Sequence, residues 1–386
     1  MRDVYIVGVG TTKFGELWDK SLRDLATEAG LKAITDAGIY SEDVNALYGA
    51  NTSAGQFIDQ EHIASLIADA AGLSELGIPS IRIEAGSASG GAALHEAYLA
   101  VASGKYDTVV VGGVEKMTDV PPEEANKIIG GSLDAEWETF FGVTEASLAA
   151  MIAKRLEYEG KIRREDYASI PVVSHRHGSM NETSHFRNAI KLEDVLKASY
   201  VAQPLTVFDS APLSDGASAV VISANRTLIN ASENPVKILS SEISTDYLSL
   251  HDRSSIHSIN AFKRSSKKAL ESAKITKEKV DILELHDSYS IVGLLQLMEL
   301  YGEKEALDLV RNEELYWNKS RPTNTSGGLK AHGNPLGAVG IYQVVEAALQ
   351  LRGKAGQRQV KGARYALLHN MGGIGATSVT TVLGVE

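Results

Sequence analysis

The sequence predicts an α/β fold made of two duplicated halves, and three observations carry that expectation. Short apolar or β-branched runs alternate with segments of helical period along the chain. The order strand, helix, strand, glycine-rich helix start, buried strand occurs twice. A long polar stretch interrupts the first round and belongs to neither.

Asp3–Gly8 is apolar and β-branched, a first strand, and Ser21–Ala37 has helical spacing. Val44–Ala50 is strand-like and His62–Ala71 helical. Ile81–Ala85 is a strand that runs directly into SASGGAALHEAYLAVASG, a helix rich in small residues. Asp107–Gly113 reads as an apolar strand, as expected when both sheet faces are covered. From about Thr118 to Tyr200 the chain is polar, charged and irregular, with KRLEYEGKIRRED and SHRHGSMNETSHFRN inside it. It reads as an insertion that covers a site. The core resumes at Ser214–Ala224.

The second round begins with the strand PVKILSSEI and the helix Ser258–Ala273. VDILEL leads to HDSYS, and Ile291–Tyr301 is helical. NPLGAVGIYQVVEAALQLRG repeats the small-residue helix start, and YALLHN and ATSVTTVLG close the chain as strands. The expected division is 1–117 with 198–232 as one half, 118–197 as the insertion, and 233–386 as the other half. Packed about a pseudo-twofold axis, the helix starts at Ser87 and Asn334 face each other. Helix N-termini carry unpaired N–H groups and partial positive charge, so two of them converging favour an oxyanion.

Composition narrows the function. The chain has 386 residues, 44% hydrophobic and 23% charged, the profile of a globular protein rather than a disordered one. Its net charge of −11 argues against non-specific nucleic-acid binding. With no cysteine at all, disulfides, thiolate catalysis and thiolate metal sites are excluded. No apolar run reaches the roughly 18 residues of a membrane span. The N-terminus lacks the pattern of a signal peptide, so a cytoplasmic protein away from membranes is expected.

Seven ordered segments resemble the thiolase superfamily: VGVGTTKFGE, EAGSASGGAALHEA, VVVGGVEKM, PLSDGASAVV, HDSYS, NTSGGLKAHGNPLGAVG and LHNMGGIGATSV. The archaeal and sterol-carrier-protein branch is the most similar, through HD-x-[FY] and HN-x-GG. The resemblance implies a five-layered αβαβα sandwich with a loop domain that binds coenzyme A. It implies an acyltransferase of the acetyl-CoA C-acetyltransferase type, acting on CoA or acyl-CoA as substrate without a further cofactor or metal. It also implies a homodimer or dimer of dimers, assembled about the strand near Ile81–Ala85. A small zinc-ribbon/OB-fold protein and a hydroxymethylglutaryl-CoA synthase are implied as possible partners.

Two departures from the family pattern concern the chemistry. Ser87 stands where thiolases carry the nucleophilic cysteine. A helix dipole brings a thiolate within reach, but a serine hydroxyl is far more basic and needs a paired base. Three readings of Ser87 stand side by side: an engineered replacement, a natural serine in a chain that lost thiolase activity, or a working nucleophile. The G-H-P motif reads Gly333-Asn334-Pro335, while His286 stands where biosynthetic thiolases have asparagine. The His/Asn pair is thus exchanged but kept, and can donate two hydrogen bonds to an enolate oxygen. His369 takes the place of the second cysteine and is the candidate acid/base and the base for Ser87. The backbone N–H groups of Ser87 and Met371 are the candidate second oxyanion hole.

Other features read as structural. His332 matches no family role. His175, His177 and His185 lack metal-ligand spacing and read as a solvated or CoA-facing loop. His95-Glu96 has no second histidine four residues on, and Gly8-x-Gly10 lacks the last glycine of a dinucleotide fingerprint. Ala85-x-Ser87-x-Ser89 lacks the glycines of a nucleophile elbow. Three functions follow: a thiolase-like acyltransferase weakened or lost at Ser87, a non-catalytic acyl-CoA-binding subunit, and a Ser87/His369 thioesterase.

Overall fold

The computed structural model describes residues 1–385. Its strands are β1 (Tyr5–Thr11), β2 (Ala46–Ala50), β3 (Ser80–Ile83), β4 (Thr108–Glu115), β5 (Tyr200–Ala202), β6 (Leu205–Thr206), β7 (Gly216–Ser223), β8 (Val236–Thr245), β9 (Ile282–Glu284), β10 (Tyr365–Gly372) and β11 (Thr377–Gly384). Apart from the small β5–β6 hairpin they join one sheet in the order β3-β2-β4-β7-β1-β8-β11-β10-β9.

That order contains the duplication. Reading outward from the β1–β8 seam, β1-β7-β4-β2-β3 has a counterpart in β8-β11-β10-β9 and a parallel pairing of Leu283 with Thr323. The directions repeat as well. β1·β7 and β8·β11 are antiparallel, as are β7·β4 and β11·β10, whereas β4·β2 and β10·β9 are parallel. The seam itself is short, with Tyr5 opposite Lys237 and Ile6 opposite Val236.

Strand alternation then sorts the side chains into layers. Ile6 of β1 and Val4 just before it face the helices Ser89–Ala102 and Leu336–Leu351, which pack together as the central layer between the two halves of the sheet. Tyr5 and Val7 face outward onto the helices Leu22–Ala37 and Ile63–Ala70. In the second half, Ala366 and Leu368 of β10 face inward, while Leu367 and Met371 face the outer layer with helices Asn260–Ala273 and Ser290–Tyr301. Five layers result, as expected. The central helices approach closely because glycine lines both: a Cβ on Gly340 would lie 2.3 Å from the Gly91 nitrogen. Both contact residues lie near the helix N-termini, so the two helix starts are brought together.

The insertion corrects one expectation. It is largely helical, with helices Glu145–Tyr158, Arg164–Gly178 and Leu192–Lys197. Leu148, Ile152, Leu156, Tyr167 and Ile170 are buried in one cluster with Ile291, Leu294 and Leu295 of helix Ser290–Tyr301. These apolar positions recur every three or four residues among charged ones, which gives each helix one buried face. The insertion is therefore core on its inner side. Among the described residues, no helix is long and apolar enough to cross a membrane.

Candidate active site

Ser87 lies in a tight turn between β3 and the helix Ser89–Ala102. Gly86 supplies the left-handed residue of that turn, at φ 57°. The Ser89 hydroxyl donates to Gly86 O at 2.6 Å and accepts from Ala85 N at 2.9 Å, so the helix's first residue locks the turn that precedes it. Thr52 Oγ1 donates to Gly86 O from the other side at 3.1 Å. Ser87 is 5% exposed, and neither its N–H nor its hydroxyl has a hydrogen-bond partner among the described residues.

The residue that ties this turn to the rest of the site is Asn370. Its Oδ1 accepts from Gly91 N at 2.9 Å, and its Nδ2 donates to Ser87 O at 3.0 Å. Both partners are backbone groups of fixed polarity, so the orientation of the amide is determined. Nδ2 also lies 3.3 Å from His286 Nδ1, and Met371 N lies 3.4 Å from the same atom. Two N–H groups pointing at Nδ1 require it to be the unprotonated nitrogen. The proton of neutral His286 therefore sits on Nε2, which has no partner among the described residues and is free to donate. Burial pushes the His286 pKa down to about 3, so the ring stays neutral at physiological pH.

Two expectations fail here, for one geometric reason. Neighbouring residues on a strand face opposite sides of the sheet. Since Asn370 faces the central helices, His369 faces the outer layer, where its ring packs 4.1 Å from Phe262. Its Nδ1 lies 2.6 Å from Gln296 Oε1, and Gln296 Nε2 donates to His286 O at 2.7 Å. Gln296 Oε1 is thus the acceptor, His369 carries its proton on Nδ1, and its bare Nε2 is buried without a partner. His369 is not the base for Ser87. Burial holds its pKa well below the ordinary histidine value, and the neighbouring His286 adds to this. The Met371 N–H, expected beside the Ser87 N–H, points instead at His286.

Asn334 lies at the start of the second central helix, its Oδ1 buried without a partner and its N–H 3.2 Å from Ser214 Oγ. It makes no hydrogen bond to His286. Three residues on, Gly337 N donates at 3.0 Å to Glu115, a carboxylate at the end of β4. Glu115 also accepts from Thr52 N at 2.8 Å, Ser53 N at 3.1 Å and Asn51 Nδ2 at 2.9 Å. Burial raises its pKa against the pull of those N–H groups. This buried carboxylate holds the second helix start to the loop whose Thr52 supports the Ser87 turn. The sequence reading missed Asn370, Gln296, Thr52 and Glu115.

The other histidines singled out in the sequence are held by contacts within the fold. His332 is stacked on Tyr342 at 3.5 Å with Phe14 at 4.2 Å, a structural position as expected. His177 is fully buried between Asn324 O at 2.9 Å and Trp317 N at 3.1 Å. His175 is buried against Asn188 O, and His185 meets Ser214 Oγ at 3.0 Å. The solvated-loop reading is therefore corrected for His175 and His177, which lie in helix Arg164–Gly178, while His185 is half-buried in a loop. No group of three or more metal-ligating side chains occurs among the described residues.

Comparison with known proteins accords with this architecture. The family "Thiolase, N-terminal domain" matches residues 4–226, and "Thiolase C-terminal domain-like" matches residues 243–385. Acetyl-CoA acetyltransferase of Methanothermobacter thermautotrophicus is 45% identical over 384 residues, covering 99% of each chain. Human sterol carrier protein 2 is 32% identical over 98% of this chain and 72% of its own length. Among solved structures, an Ltp2-ChsH2(DUF35) aldolase superposes with a TM-score of 0.85 at 24% identity, covering 99% of this chain and 98% of its own. With both family domains matched in order along nearly its whole length, the chain belongs to the thiolase superfamily.

Proposed function

We propose that this protein binds an acyl-CoA thioester and is a thiolase-type acyltransferase whose thiolysis and condensation are weakened or lost at Ser87. One observation carries the reading: His286 presents Nε2–H as a ready donor, while the Ser87 hydroxyl has no base in contact with it. A donor in a water-poor site polarises a thioester carbonyl and stabilises the charge that develops on its oxygen. A serine hydroxyl without a base remains a poor nucleophile at neutral pH. Carbonyl activation is thus retained and covalent acyl transfer is not. The test is intact mass after incubation with acetyl-CoA. The natural chain is expected to stay unmodified, and Ser87→Cys to gain one acetyl group. Stoichiometric acetylation of Ser87 overturns the reading.

A second reading, a non-catalytic acyl-CoA-binding subunit, draws on the solved neighbour Ltp2-ChsH2(DUF35) aldolase, whose name joins two proteins. It predicts that coenzyme A binds while Ser87→Cys stays inert. Pairing with a second copy is supported by β3, an edge strand that carries the exposed Ile81. Light scattering that gives a 41.3 kDa monomer contradicts it.

A further inference from the structure

Between the end of β9 and the second central helix, Glu284, Thr325, Ser326 and Glu346 are all buried. Thr325 Oγ1 lies 3.2 Å from Glu284 Oε1 and 3.0 Å from Glu346 Oε1. Ser326 Oγ lies 2.8 Å from Glu284 Oε2 and also accepts from Gly328 N at 3.0 Å. These are three oxygen–oxygen contacts, and the two hydroxyls supply two protons between them. With both carboxylates ionised, one contact has no proton and sets two oxygens against each other out of water. A third proton on a carboxyl group removes that opposition and satisfies all three contacts.

The surroundings decide which one. Arg358 grips Glu346 with Nε at 3.0 and 3.1 Å and Nη2 at 2.8 Å, and Gln350 Nε2 adds a bond at 3.0 Å. Besides the hydroxyls already named, Glu284 receives only the neutral Ser326 N–H at 3.2 Å. The other ionisable groups turned toward the pair are Tyr342 on the same helix as Glu346 and His177 on helix Arg164–Gly178. His177 is neutral, its pKa lowered to about 4 by burial. Among the described residues, no second cation stands beside Glu284.

We infer that Glu284 is held as a neutral carboxylic acid whose O–H donates to Thr325, which in turn donates to an ionised Glu346 paired with Arg358. Burial and the charge of Glu346 push the Glu284 pKa well above the ordinary carboxylate range, in keeping with that count. The acid ties loop 324–328 to the end of β9, two residues before His286. Gln343 Nε2 reinforces the join by donating to Glu284 O at 3.2 Å and His369 O at 2.9 Å. Glu284 is a positioning residue for His286, and its protonation state is a property of the fold independent of turnover.

The sign of the pH effect follows. The folded chain keeps this proton where the unfolded chain, at an ordinary 4.5, has lost it. The stabilising effect is therefore full below 4.5 and is lost as pH rises from there through the raised folded-state value. Glu284→Gln places a permanent N–H donor at the same position and forfeits only the 3.2 Å bond from Ser326 N. Urea unfolding of both proteins across this range should show the folding constant of the natural chain falling relative to Glu284→Gln by about tenfold per pH unit. Infrared difference spectra at about pH 6 should show a buried carboxylic-acid C=O band that Glu284→Gln removes. Parallel pH dependence, a band that persists in Glu284→Gln, or failure of Glu284→Gln to fold would each overturn the inference. The last counts because a neutral amide replaces a neutral acid without stranding a charge.

Discussion

Asn370→Asp is the sharpest probe of how the site is organised. The change swaps one NH2 for an oxygen and leaves the shape intact. The bond from Gly91 N survives, because Oδ1 still accepts it. The other two contacts turn repulsive, since the new oxygen faces Ser87 O at 3.0 Å and His286 Nδ1 at 3.3 Å. Losing the bond to Ser87 O and stranding that buried acceptor removes about 2 kcal/mol, and the shielded carboxylate adds about 1 more. The remedy open to the site is a proton on His286 Nδ1, which satisfies the new carboxylate. That moves the imidazole to the other tautomer or to imidazolium and displaces the Met371 N–H. We therefore expect a loss of about 3 kcal/mol in urea unfolding. Nitrogen-15 spectra of the imidazole should show Nδ1 protonated in the variant and bare in the natural chain. A variant within about 0.5 kcal/mol of the natural chain, with Nδ1 still bare, would refute the claim that Asn370 sets the tautomer.

Gly340→Ala should destabilise by about 3 kcal/mol, because its Cβ meets the Gly91 nitrogen at 2.3 Å and Asn370 Oδ1 at 2.4 Å. Thermal unfolding will read this, and a neutral result would mean the central helices separate freely. In a Ser87→Cys background, His286→Ala should lower kcat by about 100-fold or more, whereas His369→Gln should leave kcat within about tenfold. A collapse of kcat in His369→Gln with stability intact would restore His369 to the reacting centre. Isothermal calorimetry should detect coenzyme A or acetyl-CoA, and absence of heat at millimolar concentration would remove the acyl-CoA reading.

Most of the architecture was legible because local pattern and global order agree. Each expected strand of the main sheet falls within three residues of an observed one, and the two glycine-rich helix starts do pack together. The side of the sheet that His369 faces is legible in the sequence. Ala366 and Leu368 are core residues of one face, and period-two alternation sends His369 to the other. In the insertion, Lys154, Arg155 and their charged neighbours mask the helical pattern. The 3–4 spacing of Leu148, Ile152 and Leu156 already marked a helix with a buried side. The roles of Asn370 and Glu115 were beyond local pattern. Asn370 joins Gly91 across 279 residues and Glu115 joins Gly337 across 222, so nothing near either in sequence announces the partner.

The central claim is that carbonyl activation survives at His286 while Ser87 cannot act as a nucleophile. Acetoacetyl-CoA thiolysis by the natural chain and by Ser87→Cys, measured side by side with coenzyme A binding to both, tests it most directly. The account predicts negligible turnover by the natural chain and a gain of about 100-fold or more in Ser87→Cys, equivalent to about 3 kcal/mol of barrier. Robust turnover by the serine form, or an inert cysteine form that still binds coenzyme A, would contradict it.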